Sequence, residues 1–196
     1  NLGNALIIEP WMLFGLNHPA VKKPGDAGYD PAVAIPDDWT LRNELSQRFG
    51  GDMTAQLIKN YQETYLQAGD IDNIMKLGLN VVRLPVYYRD IRELDANLNW
   101  VGTGYKFTHI DRLVEFCADR GLYVLLDLHG APGGQSEQDN TGRKDFNKLF
   151  KEDQTVSCSG STVTVGECYR RRTVDLWKAI ATQYKNNTAV VGYDLL

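Results

Sequence analysis

Three short apolar runs constrain this chain more than anything else in it: LNVVRLPV at 79–86, LYVLLDLHG at 122–130 and AVVGYDLL at 189–196. Each is rich in valine and leucine and lacks the polar/apolar alternation of a strand with one wet face, so each reads as a strand buried on both faces. A helical pattern precedes each run. Residues 54–66 place Leu57, Ile58, Tyr61, Tyr65 and Leu66 at helical spacing, and a second helical stretch over 70–76 stops at Leu77-Gly78. Thr108 is placed to cap a helix running to residue 120 that Gly121 ends, and a further helix is expected over about 169–184. An earlier strand is expected over 2–8. Buried strands joined by helices pair in parallel through right-handed crossovers, so the fold class is α/β.

Periodicity alone leaves a doubly wound sheet and a closed barrel open. Two details favour the barrel: polar side chains at strand ends (Arg83, Asp127, His129) and long loops after the strands, where a barrel carries its active site. A nucleotide-binding sheet would need a glycine-rich phosphate cradle. The segment GAPGG at 130–134 has neither the GxGxxG spacing nor a following Gly-Lys-Ser/Thr.

Composition narrows the function classes. With 43% hydrophobic residues over 196 positions, the chain can bury a core and is one domain or part of one. A net charge of −4 offers no basic face for a phosphate backbone, so no nucleic-acid partner is expected. No apolar run approaches the roughly 18 to 20 residues of a membrane span, so no membrane partner is expected either. The chain opens at Asn1 and stops at Leu196 within an apolar run, so both ends read as cuts through a longer protein. The lack of a leader at such a start says nothing about export.

Cys158 and Cys168 flank a Ser/Gly/Thr/Val segment whose centre, Gly160-Ser161, is placed to turn a hairpin and bring the sulfurs together. A disulfide there would stabilise the fold by roughly 2 to 3 kcal/mol in an oxidising compartment. The alternative is a pair of reduced thiols. Zinc would want further Cys or His ligands close by and the sequence has none there, so neither a metal nor a cofactor is expected. Cys117, on an apolar helical stripe, reads as a buried free thiol. Residues 14–50 read as a Pro/Gly/Asp-rich loop, with His18 on its surface, and then, within the same stretch, a short helix capped near Asp37 or Asp38. Asn186-Asn187-Thr188 is a glycosylation sequon, meaningful in a eukaryotic source.

Four segments together, NLGNALIIEPWM (1–12), GLNVVRLPVYY (78–88), LDLHGAPGGQSEQDNTG (126–142) and VVGYDLL (190–196), resemble glycoside hydrolase family 5, and within it the exo-β-1,3-glucanase group. The resemblance implies a (β/α)8 TIM barrel, with residues 1–196 as the N-terminal part of one catalytic domain, truncated after the fourth strand and holding about the first four β/α units. It implies a secreted or cell-wall enzyme, monomeric when full length, that hydrolyses glycosidic bonds in β-glucan oligo- or polysaccharides. The alternatives are a β-1,4-glucanase or β-mannanase of the same fold, or an inactive carbohydrate-binding barrel. The mechanism implied is retaining, with two carboxyl groups roughly 5 to 5.5 Å apart. In that family the segment matching 193–196 runs on into Asn-Glu-Pro, which supplies the acid/base, and the nucleophilic Glu ends strand seven. The fragment alone is therefore expected to be inactive.

The residues that match the family pattern suit this chemistry. Arg83 presents a rigid donor fork that favours an ionised nucleophile. His129 matches a histidine that hydrogen-bonds sugar hydroxyls. Glu9 and the pair Asp139-Asn140 match sugar-binding positions, where one carboxylate can accept from two hydroxyls. Trp11 is placed to stack on a sugar face. The bland alternatives are an exposed loop acid at Glu9, an Asx turn at 139–140, and plain packing of a strand-end tryptophan. One departure stands out. Where the exo-glucanases carry an aromatic just before the Asp-Asn pair, this chain has Gln138, which puts the linkage and the exo mode in question.

Overall fold

The computed structural model describes residues 1–15, 17–22, 24–31 and 33–196. Three positions of the loop after residue 14 therefore lie outside it. Its centre is a parallel sheet of three strands, β1 (Val81–Tyr87), β2 (Tyr123–Gly130) and β5 (Val190–Asp194), ordered β1-β2-β5. Val82 pairs with Val124 and Val124 with Val190, and Pro85, Asp127 and Asp194 lie side by side farther along. Each strand enters from a helix. α3 (Gly51–Thr64) and α4 (Ala68–Lys76) lead to β1, α6 (Thr108–Ala118) to β2, and α7 (Val165–Tyr184) to β5. The parallel α/β class follows directly from this order.

The core lies between the sheet and its helices. Val82, Leu84, Val86, Val124, Leu126 and Leu128 point at Ile71, Ile110, Leu113, Val114, Cys117, Leu176 and Ile180. Burial alternates only over the first residues of β1 and β2, so at that end the strands are not covered on both faces as their unbroken apolar runs suggest, whereas Pro85, Tyr87 and Asp127 farther along are buried. Val81 is 50% and Tyr123 48% exposed on the side away from the helices. Hydrophobicity read along one dimension reports which residues can be buried, and no described element of this chain covers that second face where the strands begin.

The segment 2–8 is buried but is not a strand. Asn4 takes a left-handed backbone (φ 60°), which breaks the extended run, and a single bond ties the segment to the sheet, from Leu2 N–H to Arg83 O at 2.8 Å. The parallel sheet thus has three strands among the described residues, where four were expected. Leu2, Ala5 and Leu6 still fill the core beside β1. Two helix starts also differ from expectation. Thr108 is the first residue of α6 rather than its cap, since Phe107 holds the cap position without a side-chain bond. α7 starts at Val165, four residues early, because the Thr164 hydroxyl accepts from Glu167 N–H and caps it.

Two devices brace the loops. α2 (Asp38–Phe49) is capped by Asp37, which accepts from Thr40 N–H and also from Lys144 N–H, both at 2.7 Å, tying the loop after β2 to the helix start. Within α2, Arg42 bridges two buried carboxylates, Asp38 (2.5 Å) and Asp90 (2.7 Å). Asp38 also accepts from Ile8 N–H, and Gln62 of α3 donates to both Asp90 and Leu6 O.

The second device is a hairpin of β3 (Thr155–Cys158) and β4 (Ser161–Thr164), whose turn is Ser159-Gly160, one residue earlier than expected. Both turn residues have positive φ (51° and 82°), the geometry that suits a two-residue hairpin. Cys158 and Cys168 are joined by a disulfide between the hairpin and α7, while Cys117 is free and buried. Arg172 donates to Leu98 O (2.7 Å) and Ser159 Oγ (3.2 Å), locking the hairpin to the loop after β1. Among the described residues, no helix is long and apolar enough to cross a membrane.

Candidate active site

Side chains two residues apart on a strand share a face, so Asp127 and His129 of β2 project together on the open side of the sheet, near its C-terminal end. Arg83 reaches up from β1 toward the same point, and Asp194 reaches in from β5. Asp127 is fully enclosed, with a side chain 0% exposed. Its Oδ2 lies 3.0 Å from Arg83 Nη2 and 2.9 Å from His129 Nδ1. Arg83 Nε and Nη2 each donate to Asp194 Oδ2 at 3.1 Å. One guanidinium therefore joins carboxylates on two strands, and one carboxylate faces both an Arg and a His.

Glu9 joins the cluster from the segment before the sheet. It holds the N-cap position of the one-turn helix α1 (Pro10–Phe14) without a side-chain capping bond and is only 4% exposed, so it is not a solvent-facing loop acid. Burial raises its pKa above the ordinary carboxylate value. The charge of His129 and a hydrogen bond from Trp11 Nε1 (2.9 Å) pull it back down, and the charges of Asp139 and Asp127 push it up. Those influences place Glu9 in electrostatic reach of β2 and of the following loop. Trp11 sits on the helix rather than at a strand end, and its indole N–H is committed to Glu9.

Asp139 and Asn140 lie in a short 3-10 turn, Asp139–Thr141, half-buried, in the loop that follows β2. The turn ends at Gly142 (φ 89°), where a Cβ would stand 2.6 Å from the Tyr87 ring, so glycine is required both for the backbone and for the close packing. Asn140 Oδ1 is buried without a donor, leaving an acceptor ready for a hydroxyl. Gln138, just before the turn, is exposed. Gln135 holds the start of this loop: it donates to His129 O (2.9 Å) and accepts from Ala131 N–H (3.2 Å).

The structure thus gathers Arg83, His129, Glu9 and Asp139 at one end of the sheet. Two residues at the centre, Asp127 and Asp194, carry no assigned role in the sequence reading. The i, i+2 spacing of Asp127 and His129 was visible in LDLHG, but the register that sets both against Arg83 was not. His18 is exposed, with its ring stacked on Phe14. Asn186 lies exposed in the turn before β5, at the opposite end of the sheet from this cluster. Among the described residues, no group of three or more His, Cys, Asp or Glu is gathered as a metal site.

Comparison with known proteins places this arrangement. The model of the family described as Cellulase (glycosyl hydrolase family 5) matches residues 45–196. A probable glucan 1,3-beta-glucosidase A of Neosartorya fischeri is 31% identical over 192 residues, covering 98% of this chain and 38% of that protein. A glucan 1,3-beta-glucosidase of Lachancea kluyveri is 30% identical over 163 residues, covering 83% of this chain and 35% of that protein. The crystal structure of a rutinosidase from Aspergillus niger shares the fold, with a TM-score of 0.62 at 15% identity over 95% of this chain and 43% of that one. The chain therefore spans well under half the length of these relatives. The family match takes in β1, β2, the turn at 139–141, α7 and β5, and with them Arg83, Asp127 and His129: the chain belongs to the cellulase family, glycosyl hydrolase family 5.

Proposed function

We infer that this chain is part of a secreted (β/α)8-barrel β-glucan hydrolase of the glucan 1,3-β-glucosidase type, and that residues 1–196 supply part of its single catalytic domain. The observation that carries this is the convergence of Arg83, Asp127 and His129 at the C-terminal ends of parallel strands, where barrel enzymes do their chemistry. Both 1,3-glucosidase relatives support the substrate class. The uncovered sheet face, with Val81, Tyr123 and Leu125 pointing away from the helices, has the composition of a barrel interior that further strands would close. The disulfide fits an oxidising, extracellular setting.

The chemistry divides between what this chain offers and what it lacks. Arg83 is anchored through Nε and Nη2, and its Nη1 has no hydrogen bond among the described residues, so it can favour the ionised form of an approaching nucleophile. His129, Glu9, Asp139 and Asn140 supply acceptors for sugar hydroxyls around the reacting unit. Glu9, with its raised pKa, also serves as a hydrogen-bond donor when protonated. The retaining pair of carboxyl groups comes, on this account, from the remainder of the parent enzyme. Three of the carboxylates present are already engaged, Asp127 and Asp194 by Arg83 and Glu9 by Trp11.

The test is a substrate panel. The protein containing this chain should release reducing sugar from laminarin faster than from a β-1,4-glucan or a β-mannan, with net retention at the anomeric carbon. Preference for a 1,4-linked polymer or inversion would overturn the assignment. An Arg fork shared between two carboxylates is not replaced by a point charge, so Arg83→Lys should lower kcat by about tenfold or more.

A further inference from the structure

Asp127 is the most deeply placed charged group in the site, and its surroundings are unusual. Enclosing a carboxylate is costly unless donors meet it. Arg83 Nη2 and His129 Nδ1 approach the same oxygen at 3.0 and 2.9 Å, yet neither of its oxygens receives an aligned hydrogen bond. The fold keeps the charge there on the middle strand, between Pro85 of β1 and Asp194 of β5. It faces Arg83 on one side and His129, two residues on, on the other. Hydrogen bonds of this kind are commonly loose in an empty site and tighten when substrate fills it.

We propose that Asp127 is the positioning residue of this site: lying between Arg83 and His129, it fixes His129 as the tautomer protonated on Nδ1 and steadies the Arg83 fork opposite Asp194. The consequence for His129 is specific. With the proton on Nδ1, beside the carboxylate, Nε2 carries the lone pair and is left as the acceptor for a sugar hydroxyl. The imidazole is part-buried, and the backbone carbonyl of His129 accepts from Gln135 Nε2, which anchors the strand end that carries the ring. For Arg83, Asp127 supplies the second carboxylate that keeps Nη2 from following Asp194 alone.

That Nε2 serves a sugar rests on the glycosidase assignment; the tautomer itself does not. Two measurements on the protein containing this chain separate them. With nitrogen-15-labelled histidine, and His129 identified by its loss in His129→Gln, the long-range proton–nitrogen pattern of the neutral ring should show the proton on Nδ1. In Asp127→Asn the pattern should shift toward Nε2–H. A wild-type ring protonated on Nε2 overturns the proposal, and so does an Asp127→Asn ring that keeps Nδ1–H. If the variant fails to fold, the wild-type spectrum decides alone.

In turnover, Asp127→Asn should lower kcat by about tenfold or more with a smaller change in KM. The same substitution made on a His129→Ala background should cost clearly less, because the group it positions is gone. Equal losses in both backgrounds would contradict the positioning role. Absence of any β-glucan turnover, with the Nδ1–H tautomer present, would instead sink the glycosidase assignment and leave the placement of Asp127 standing.

Discussion

Glu9 is where the chemistry of a single residue can be read most directly. Burial raises its pKa above the ordinary 4.5, against the pull of His129 and Trp11. For an acid with a raised folded-state pKa, the associated stability is fully present below the ordinary value and is lost as pH rises through the folded value. Glutamine suffers no such loss. Urea midpoints should therefore show Glu9→Gln gaining on the wild type as pH rises above about 4.5, by about 1.4 kcal/mol for each unit by which Glu9 is raised; a difference that shrinks with pH would contradict this. Some of the site was legible at this scale. Arg83, His129 and Asp139 were visible because they sit in segments that resemble a known family, and Glu9 for the same reason. Asp127 and Asp194 took on meaning only with the register, which sets Pro85, Asp127 and Asp194 side by side and so brings two carboxylates onto one guanidinium.

Between elements, two buried devices hold the loops that carry the site. Arg42 of α2 neutralises Asp38 and Asp90, both almost wholly enclosed. Burial raises the Asp38 pKa, and Arg42 opposes that shift. Removing the guanidinium leaves two uncompensated buried carboxylates, so Arg42→Met should cost about 3 to 5 kcal/mol in a chemical-denaturation experiment, whereas a loss under about 1 kcal/mol would show that the network contributes little. The hairpin offers a second measurement. In the denatured, unreduced, oxidatively produced chain, titration should find one reactive thiol, Cys117, because Cys158 and Cys168 are bonded; two or more would refute the pairing. Helix and strand order was legible because β-branched and leucine-rich runs alternate with helical spacing. The segment 2–8 was not, because one residue, Asn4 with φ 60°, turns an apolar run that reads as a strand into a bent one that fills the core without joining the sheet.

The whole molecule presents an uncovered sheet face beside its site. Val81 and Tyr123 are about half exposed there, and β5 forms an edge with Val191 also open. Apolar faces and unpaired edges associate, so the isolated chain should sediment as dimers or larger species at micromolar concentration, and Tyr123→Glu should shift it toward monomer; a monomeric wild type would contradict this. The strands themselves read as doubly buried because their sequence suits a barrel interior, whereas nothing among the described residues of this chain fills that interior. If Arg83, Asp127 and His129 support carboxylates supplied by the rest of the parent, the chain alone has a prepared site and no reacting groups. Laminarin hydrolysis decides between these accounts most directly. Purified residues 1–196 should release no reducing sugar above buffer, while the same chain extended through the remainder of its parent domain should release it readily. Turnover by the chain alone would show that the reacting groups lie among the residues described here, and an inactive extended protein would contradict the β-glucan hydrolase assignment.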